Sequence, residues 1–169
     1  PGDRRFALLL GLLAELEGQL DLNRIHFVGH VPHALLHELF RVCACHVYLT
    51  YPFVLSWSLL EAMACGAVVI GSDTPPLAEV IRDGVNGLLV DFFSPEALAR
   101  QMAAVLADPA AHRPLGLEAR RTVEQQFDLH SVCLPRQLAL VDWLAGGAAA
   151  PAPYSASSAW MGPPSSEEP

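Results

Sequence analysis

The chain has 169 residues, an apolar fraction of 52% and a formal net charge of −8. The apolar content supports a folded domain with its own core and excludes a wholly disordered chain. The acidic balance excludes a nucleic-acid binder that works by neutralising phosphates, and no apolar run has the length and purity of a membrane span.

The first residue is Pro, which points to a fragment, a processed product or a trimmed chain. Cys43, Cys45, Cys65 and Cys133 lie in apolar segments without the loop-rich surroundings of a disulfide framework. A reducing, cytoplasmic setting is therefore expected.

In chain order, Phe6 to Leu20 reads as a helix, and Ile25 to Gly29 as a strand ending in a turn. Leu35, Leu36, Leu39, Phe40 and Cys43 recur at helical spacing, which predicts an amphipathic helix over 33–44. His46 to Thr50 is rich in β-branched and aromatic residues and reads as a strand. Ser56 to Cys65 is the next helix, with Gly66 as the residue that stops it, and 67–72 is a buried strand. A short helix follows over 76–82, then Asp83-Gly84 as a turn and 87–91 as another strand. Strands that alternate with helices in this way predict right-handed crossovers and a parallel sheet.

Ser94-Pro95-Glu96 and Asp108-Pro109 are helix starts, each a capping side chain followed by proline at the first helical position. They open helices expected near 95–107 and 109–126. A last helix is expected over 129–145, with Pro135 as a point where it kinks or breaks. From Gly146 the composition turns to Ala, Pro, Ser and Gly, so 146–169 reads as a disordered tail. The expected organisation is a Rossmann-like α/β domain over 1–145 and this tail.

The stretch Leu55 to Ile70 concentrates the chemistry. The start of a helix offers unpaired backbone N–H groups and the positive end of its dipole, which suit a phosphate or diphosphate. Glu61, about one turn inside, is placed to accept hydrogen bonds from sugar hydroxyls beside that phosphate. Trp57, Ser58, Glu61 and Cys65 share one helix face by spacing, while Leu59, Leu60, Met63 and Ala64 are expected to pack on the sheet. Ligands of doubly wound sheets bind beyond the carboxyl ends of the strands. Three loops are expected there, over 29–32, 50–55 and 72–76.

Each residue also has an ordinary use: Ser56 and Ser58 as caps, Trp57 as packing, Glu61 as a solvated surface charge. His33 and His37 stand at i, i+4, but His37-Glu-Leu-Phe-Arg41 lacks the second histidine of a zinc-protease helix. Cys43-Ala-Cys45 has no second pair at zinc-finger spacing, so no metal is expected. No P-loop, Gly-Xaa-Gly-Xaa-Xaa-Gly or Gly-Xaa-Ser-Xaa-Gly motif occurs.

The run Val47-Tyr-Leu-Thr-Tyr-Pro-Phe-Val-Leu-Ser-Trp-Ser-Leu-Leu-Glu-Ala-Met-Ala-Cys-Gly66, with Val68 to Pro76 and Glu79 to Asp91, resembles the C-terminal half of family 4 glycosyltransferases. Ile25 to Val31 is similar to the strand and loop that precede this motif. The resemblance covers about 5–145. It implies a retaining enzyme of the GT-B architecture, two Rossmann-like domains of which this chain is one, and a nucleotide-diphosphate sugar as donor substrate with no cofactor.

By resemblance, Glu61 holds the ribose hydroxyls, the backbone at Leu55, Ser56 and Trp57 meets the donor phosphate, and Gly29, His30, Val31 and Pro32 lie near the nucleobase. Phe53, Val54 and Ser58 complete the donor-binding set. The family usually has a sugar-contacting glutamate where this chain has Phe53, and small residues, commonly glycines, at Val54 and Ser56. Phe53 accepts no hydroxyl hydrogen bond and offers the sugar an apolar face. The family's diphosphate-neutralising cations and its acceptor domain lie upstream of Arg4, so the chain alone is not expected to catalyse transfer. The rival reading is a truncated, non-catalytic module that binds a nucleotide or a partner protein.

Overall fold

The computed structural model describes residues 11, 13–51 and 55–147. The start of the N-terminal helix, Phe53 and Val54, and the tail from residue 148 lie outside the described residues. The chain divides into two compact units, Pro1–Leu36 and His37–Pro169.

In the first unit, residues 11 and 13–15 are helical. A 3-10 turn follows at Leu22–Arg24, capped by Asp21, whose carboxylate accepts the Asn23 N–H. The expected strand at Ile25 to Gly29 does not form among the described residues. Ile25 is extended (φ −117°, ψ 120°), but the run makes no ladder, and Phe27 and Val28 are exposed. An apolar run that is left in solvent has no burial to hold it in a sheet.

Helix α1 (His33–Val42) is followed by β1 (His46–Tyr48), α2 (Trp57–Ala64), β2 (Val69–Ser72), α3 (Pro75–Ala78) and β3 (Leu88–Val90). Helices α4 (Pro95–Ala107), α5 (Pro109–Gln126) and α6 (Leu134–Leu144) complete the second unit. The strands form a parallel sheet in the order β1-β2-β3, with Val47 opposite Ile70 and Gly71 opposite Leu89. The fold is thus α/β, a parallel sheet flanked by helices, as expected.

Every residue of β2 is buried, because both faces of the central strand are covered. On one face Val68, Ile70, Leu88 and Val90 meet Val105, with Ala97, Leu98 and Met102 of α4 packed against them. On the other, Gly71 leaves room for the side chains of Leu77 and Ile81; a Cβ there would lie 2.5 Å from the Leu77 Cδ2. Asn86, fully buried, ties the turn before β3 to α5. Its amide donates to the Val80 carbonyl and to Thr122 Oγ1, both at 3.0 Å, and its Oδ1 accepts the Arg82 N–H at 2.6 Å.

Helix α2 ends as expected at Gly66 (φ +79°). The Gly66 N–H donates to the Met63 carbonyl and the Ala67 N–H to the Ala62 carbonyl, the paired bonds of a Schellman motif. Its buried face is Leu59, Ala62 and Met63; Ala64, expected to pack inward, is exposed. The i, i+3, i+4 spacing of 59, 62 and 63 explains the difference, since Ala64 falls off that stripe. Helix α5 lies so close to the end of α2 that a Cβ on Gly116 would be 2.2 Å from the Gly66 carbonyl oxygen.

The last expected helix divides at Pro135. Leu129–Cys133 is a π-helical segment, with the Cys133 N–H on the Asp128 carbonyl, and Leu134–Leu144 is α-helical. The proline ring clashes with the carbonyl four residues back and removes a donor, so the preceding turn widens. Asp128 Oδ1 accepts from the Ser131 N–H and hydroxyl and the His130 N–H; those bonds hold its carboxyl below the usual range.

Two outcomes are expected. Gly116→Ala should gain under about 1 kcal/mol in helix propensity but lose more, about 1–3 kcal/mol, because its Cβ meets backbone that has nowhere to move; urea unfolding measures the net loss. His46 is half-buried against Phe40 (centroids 4.9 Å, edge-on), and burial pushes its imidazole below the ordinary value. The unfolded chain therefore binds the extra proton more readily. Stability should be complete above about pH 6.5 and fall as pH drops below it, and His46→Leu should flatten that slope in urea melts across pH.

Candidate functional site

The site is built where β1 runs out and α2 begins. Ser56 has extended backbone (φ −83°, ψ 145°), and its hydroxyl accepts the Ser58 N–H at 3.2 Å as the N-cap. Ser58 turns its own hydroxyl back to it, with the two oxygens 2.8 Å apart. The Leu59 N–H donates to the Ser56 carbonyl, which closes the first turn. The Trp57 N–H has no earlier carbonyl of the helix to reach, and the helix dipole adds its positive end there.

Trp57 is 84% exposed, so packing is not its use. Leu55 is half-buried, as is Ser58. Glu61 is half-buried too, not the fully solvated residue its sequence position allows. A ring nitrogen of His37 and a carboxylate oxygen of Glu61 lie within 4.8 Å of one another. Nothing in the spacing of the chain points to that pair, because it joins two separate helices.

The loop that carries this helix start is tied to the sheet from both ends. Ser72, fully buried at the end of β2, donates its hydroxyl to the Thr50 carbonyl at 2.7 Å and accepts the Thr50 N–H at 3.0 Å. At the other end, the Tyr48 hydroxyl accepts the Ser56 N–H at 2.9 Å. Ser72 and Tyr48 are positioning residues that sequence reading missed. Tyr48 sits inside the β1 pattern and Ser72 inside a buried strand, and neither position hints at a loop partner.

The residues from Leu55 to Ser58 are brought together with Glu61 on one helix start. Phe53 and Val54, expected beside them, lie outside the described residues. Gly29, His30, Val31 and Pro32 belong to the first unit, where Gly29 adopts positive φ (+61°) and Val31 is half-buried while the other three are exposed. The thiols of Cys43, Cys45, Cys65 and Cys133 are all free and half-buried. Burial pushes Cys43 and Cys45 above the ordinary thiol value, which lowers their reactivity.

Residues 12–122 match the sequence pattern of the family described as Glycosyl transferases group 1. An uncharacterised glycosyltransferase of Methanocaldococcus jannaschii is 28% identical over 117 residues, 69% of this chain and 30% of that protein. D-inositol 3-phosphate glycosyltransferase of Nocardiopsis dassonvillei is 29% identical over 149 residues, 82% of this chain and 34% of that protein. The structure of sucrose-phosphate synthase from Thermosynechococcus elongatus superposes with a TM-score of 0.66 at 31% identity, over 82% of this chain and 34% of that one. The chain spans about a third of the length of these proteins. Anabaena HepE, solved with UDP and glucose, shares the fold, with a TM-score of 0.69 at 22% identity over 86% of this chain and 38% of that one.

The two loop ties should differ in weight. Ser72→Ala leaves the Thr50 N–H and carbonyl without their partner at a fully buried side chain, at an expected cost of about 1–3 kcal/mol. Tyr48→Phe frees an N–H on an exposed residue that water can reach, and should cost under about 1 kcal/mol. Chemical denaturation of the two variants compares them directly.

Proposed function

The chain belongs to the Glycosyl transferases group 1 family, and on that premise we propose that it is the C-terminal, donor-binding domain of a family 4 enzyme of the GT-B architecture. The whole protein moves a sugar from a nucleotide diphosphate to an acceptor, with retention at the anomeric carbon, in the cytoplasm. Free, half-buried thiols suit that reducing setting. Among the described residues no helix is long and apolar enough to cross a membrane.

The observation that carries this reading is the Ser56-capped start of α2 at the carboxyl end of a parallel strand, with the half-buried carboxylate of Glu61 one turn deeper. The helix start provides N–H groups for the diphosphate, and Glu61 provides an acceptor for the ribose hydroxyls. Trp57, almost fully exposed, stands at the mouth of this arrangement. Gly29 to Pro32 serve the nucleobase, and Phe53 and Val54 border the donor sugar.

A leaving diphosphate gains negative charge as the glycosidic bond breaks. N–H dipoles fixed by the cap and by the two loop ties stabilise that charge without reorganising. Arg41 and Arg82 are the nearest cations in sequence on either side of α2. Both are engaged with carboxylates, Arg41 with Glu38 and Arg82 with Glu118. The remaining neutralisation of the diphosphate comes from cations of an N-terminal domain, which also supplies the acceptor side. The reading needs no metal and no cofactor.

Calorimetric titration of the chain with UDP, GDP and ADP tests it. At least one should bind, and Glu61→Ala should weaken that binding by about tenfold or more, the worth of a hydrogen bond to a charged group. Binding by none of the three, or binding indifferent to Glu61→Ala, overturns the assignment.

A further inference from the structure

The loops that follow the outer strands meet across the end of the central one. Tyr51 lies three residues past the end of β1, and Phe92 and Phe93 lie just past the end of β3. Their rings form a closed set. The Tyr51 and Phe92 centroids are 5.4 Å apart, Tyr51 and Phe93 5.3 Å, and Phe92 and Phe93 5.1 Å, with the two phenylalanines edge-on at 86°. Tyr51 is nonetheless 59% exposed and Phe93 71% exposed. Rings that pack on one another at the ligand-binding edge of a parallel sheet, yet keep most of their area in water, mark an interaction surface.

The chemistry around the rings says what that surface takes. Asp91 precedes them, its Oδ1 accepting the Phe93 N–H at 2.9 Å, and Asp73 is held beside the end of β3 by its N–H on the Val90 carbonyl at 2.7 Å. Both aspartates are exposed. Next to Asp73, Thr74 is buried, and its Oγ1 has no hydrogen-bond partner among the described residues. Between Arg41 and Arg100 the sequence has a single basic residue, Arg82, and it pairs with Glu118. Carboxylates without cations repel an anion but accept hydroxyl hydrogen bonds, and the negative face of an aromatic ring attracts the polarised C–H groups of a sugar ring.

We propose that Tyr51, Phe92 and Phe93 form a stacking surface for a neutral pyranose ring of the acceptor, with Asp73 and Asp91 receiving its hydroxyls. This rests on the glycosyl-transfer reading. The acceptor is assigned, and not the donor sugar, because Phe92 and Phe93 stand two strands away from β1. Two strand spacings are roughly 10 Å, about two ring widths away from the helix start that holds the diphosphate.

The test is a titration of the full chain, followed by NMR of its aromatic resonances, with the methyl α- and β-glycosides of glucose, galactose, mannose and N-acetylglucosamine, and separately with UDP, GDP and ADP. At least one glycoside should move the Tyr51, Phe92 and Phe93 signals saturably. Phe93→Ala should weaken that glycoside at least fivefold, Phe93→Trp should restore it, and nucleotide affinity should be unchanged in both. If no glycoside moves the rings while a nucleotide binds, the stacking surface is overturned and the donor site stands. If Phe93→Ala weakens the nucleotide and leaves the glycoside untouched, the acceptor assignment is overturned. Glycoside binding at the rings with no nucleotide binding retains the saccharide surface and removes the donor reading.

Discussion

The backbone-to-backbone approach of Gly116 to Gly66 decides where α2 lies, and the candidate site follows from it. Only a residue without a Cβ lets α5 come that near to the end of α2, and only a residue that tolerates positive φ ends α2 in a Schellman turn there. With its C-terminal end fixed in this way, α2 presents its N-terminal end at the carboxyl edge of the sheet. Its buried face is committed to Leu59, Ala62 and Met63, which leaves Trp57 outward and Glu61 half-buried. The geometry of a few buried atoms at one end therefore sets the chemistry offered at the other.

The sheet contributes through its central strand. Because β2 is covered on both faces, Ser72 at its end is sealed from water, and its hydroxyl is satisfied by the Thr50 backbone instead. A buried hydroxyl with a single well-placed partner strongly disfavours other conformations of that partner, since leaving it unmade is costly. The loop before α2 is thus held by the core of the sheet, not merely by its own turn. Tyr48 adds a weaker, more exposed tie on the far side of the same loop. A site whose donors are fixed before a ligand arrives stabilises charge without moving, which is the property that a departing diphosphate requires.

What was legible in the sequence was local. The Ser56 cap, the Gly66 stop, the Ser94 and Asp108 helix starts and the break at Pro135 each depend on residues within one turn of each other, and all appear in the structure. The parallel sheet was legible from the alternation of strands and helices. What was not legible depends on pairs distant in the chain. Ser72 with Thr50, Asn86 with Thr122, His37 with Glu61 and Tyr51 with Phe93 are contacts of tertiary packing, and periodicity carries no record of them. Ile25 to Gly29 shows the converse: a strand-like pattern with its apolar side chains left in solvent forms no ladder. The position of Ala64 was misjudged because counting apolar residues does not locate the centre of the buried stripe.

The central claim is that the start of α2 receives the diphosphate of a nucleotide. Amide chemical shifts of the isotope-labelled chain during addition of UDP, GDP or ADP address it most directly, because each backbone N–H reports for itself. The account predicts that the Ser56, Trp57 and Ser58 amides move first and furthest for the nucleotide that binds, and that the α4 and α6 amides stay in place. A nucleotide that binds while those three amides remain unmoved would contradict it.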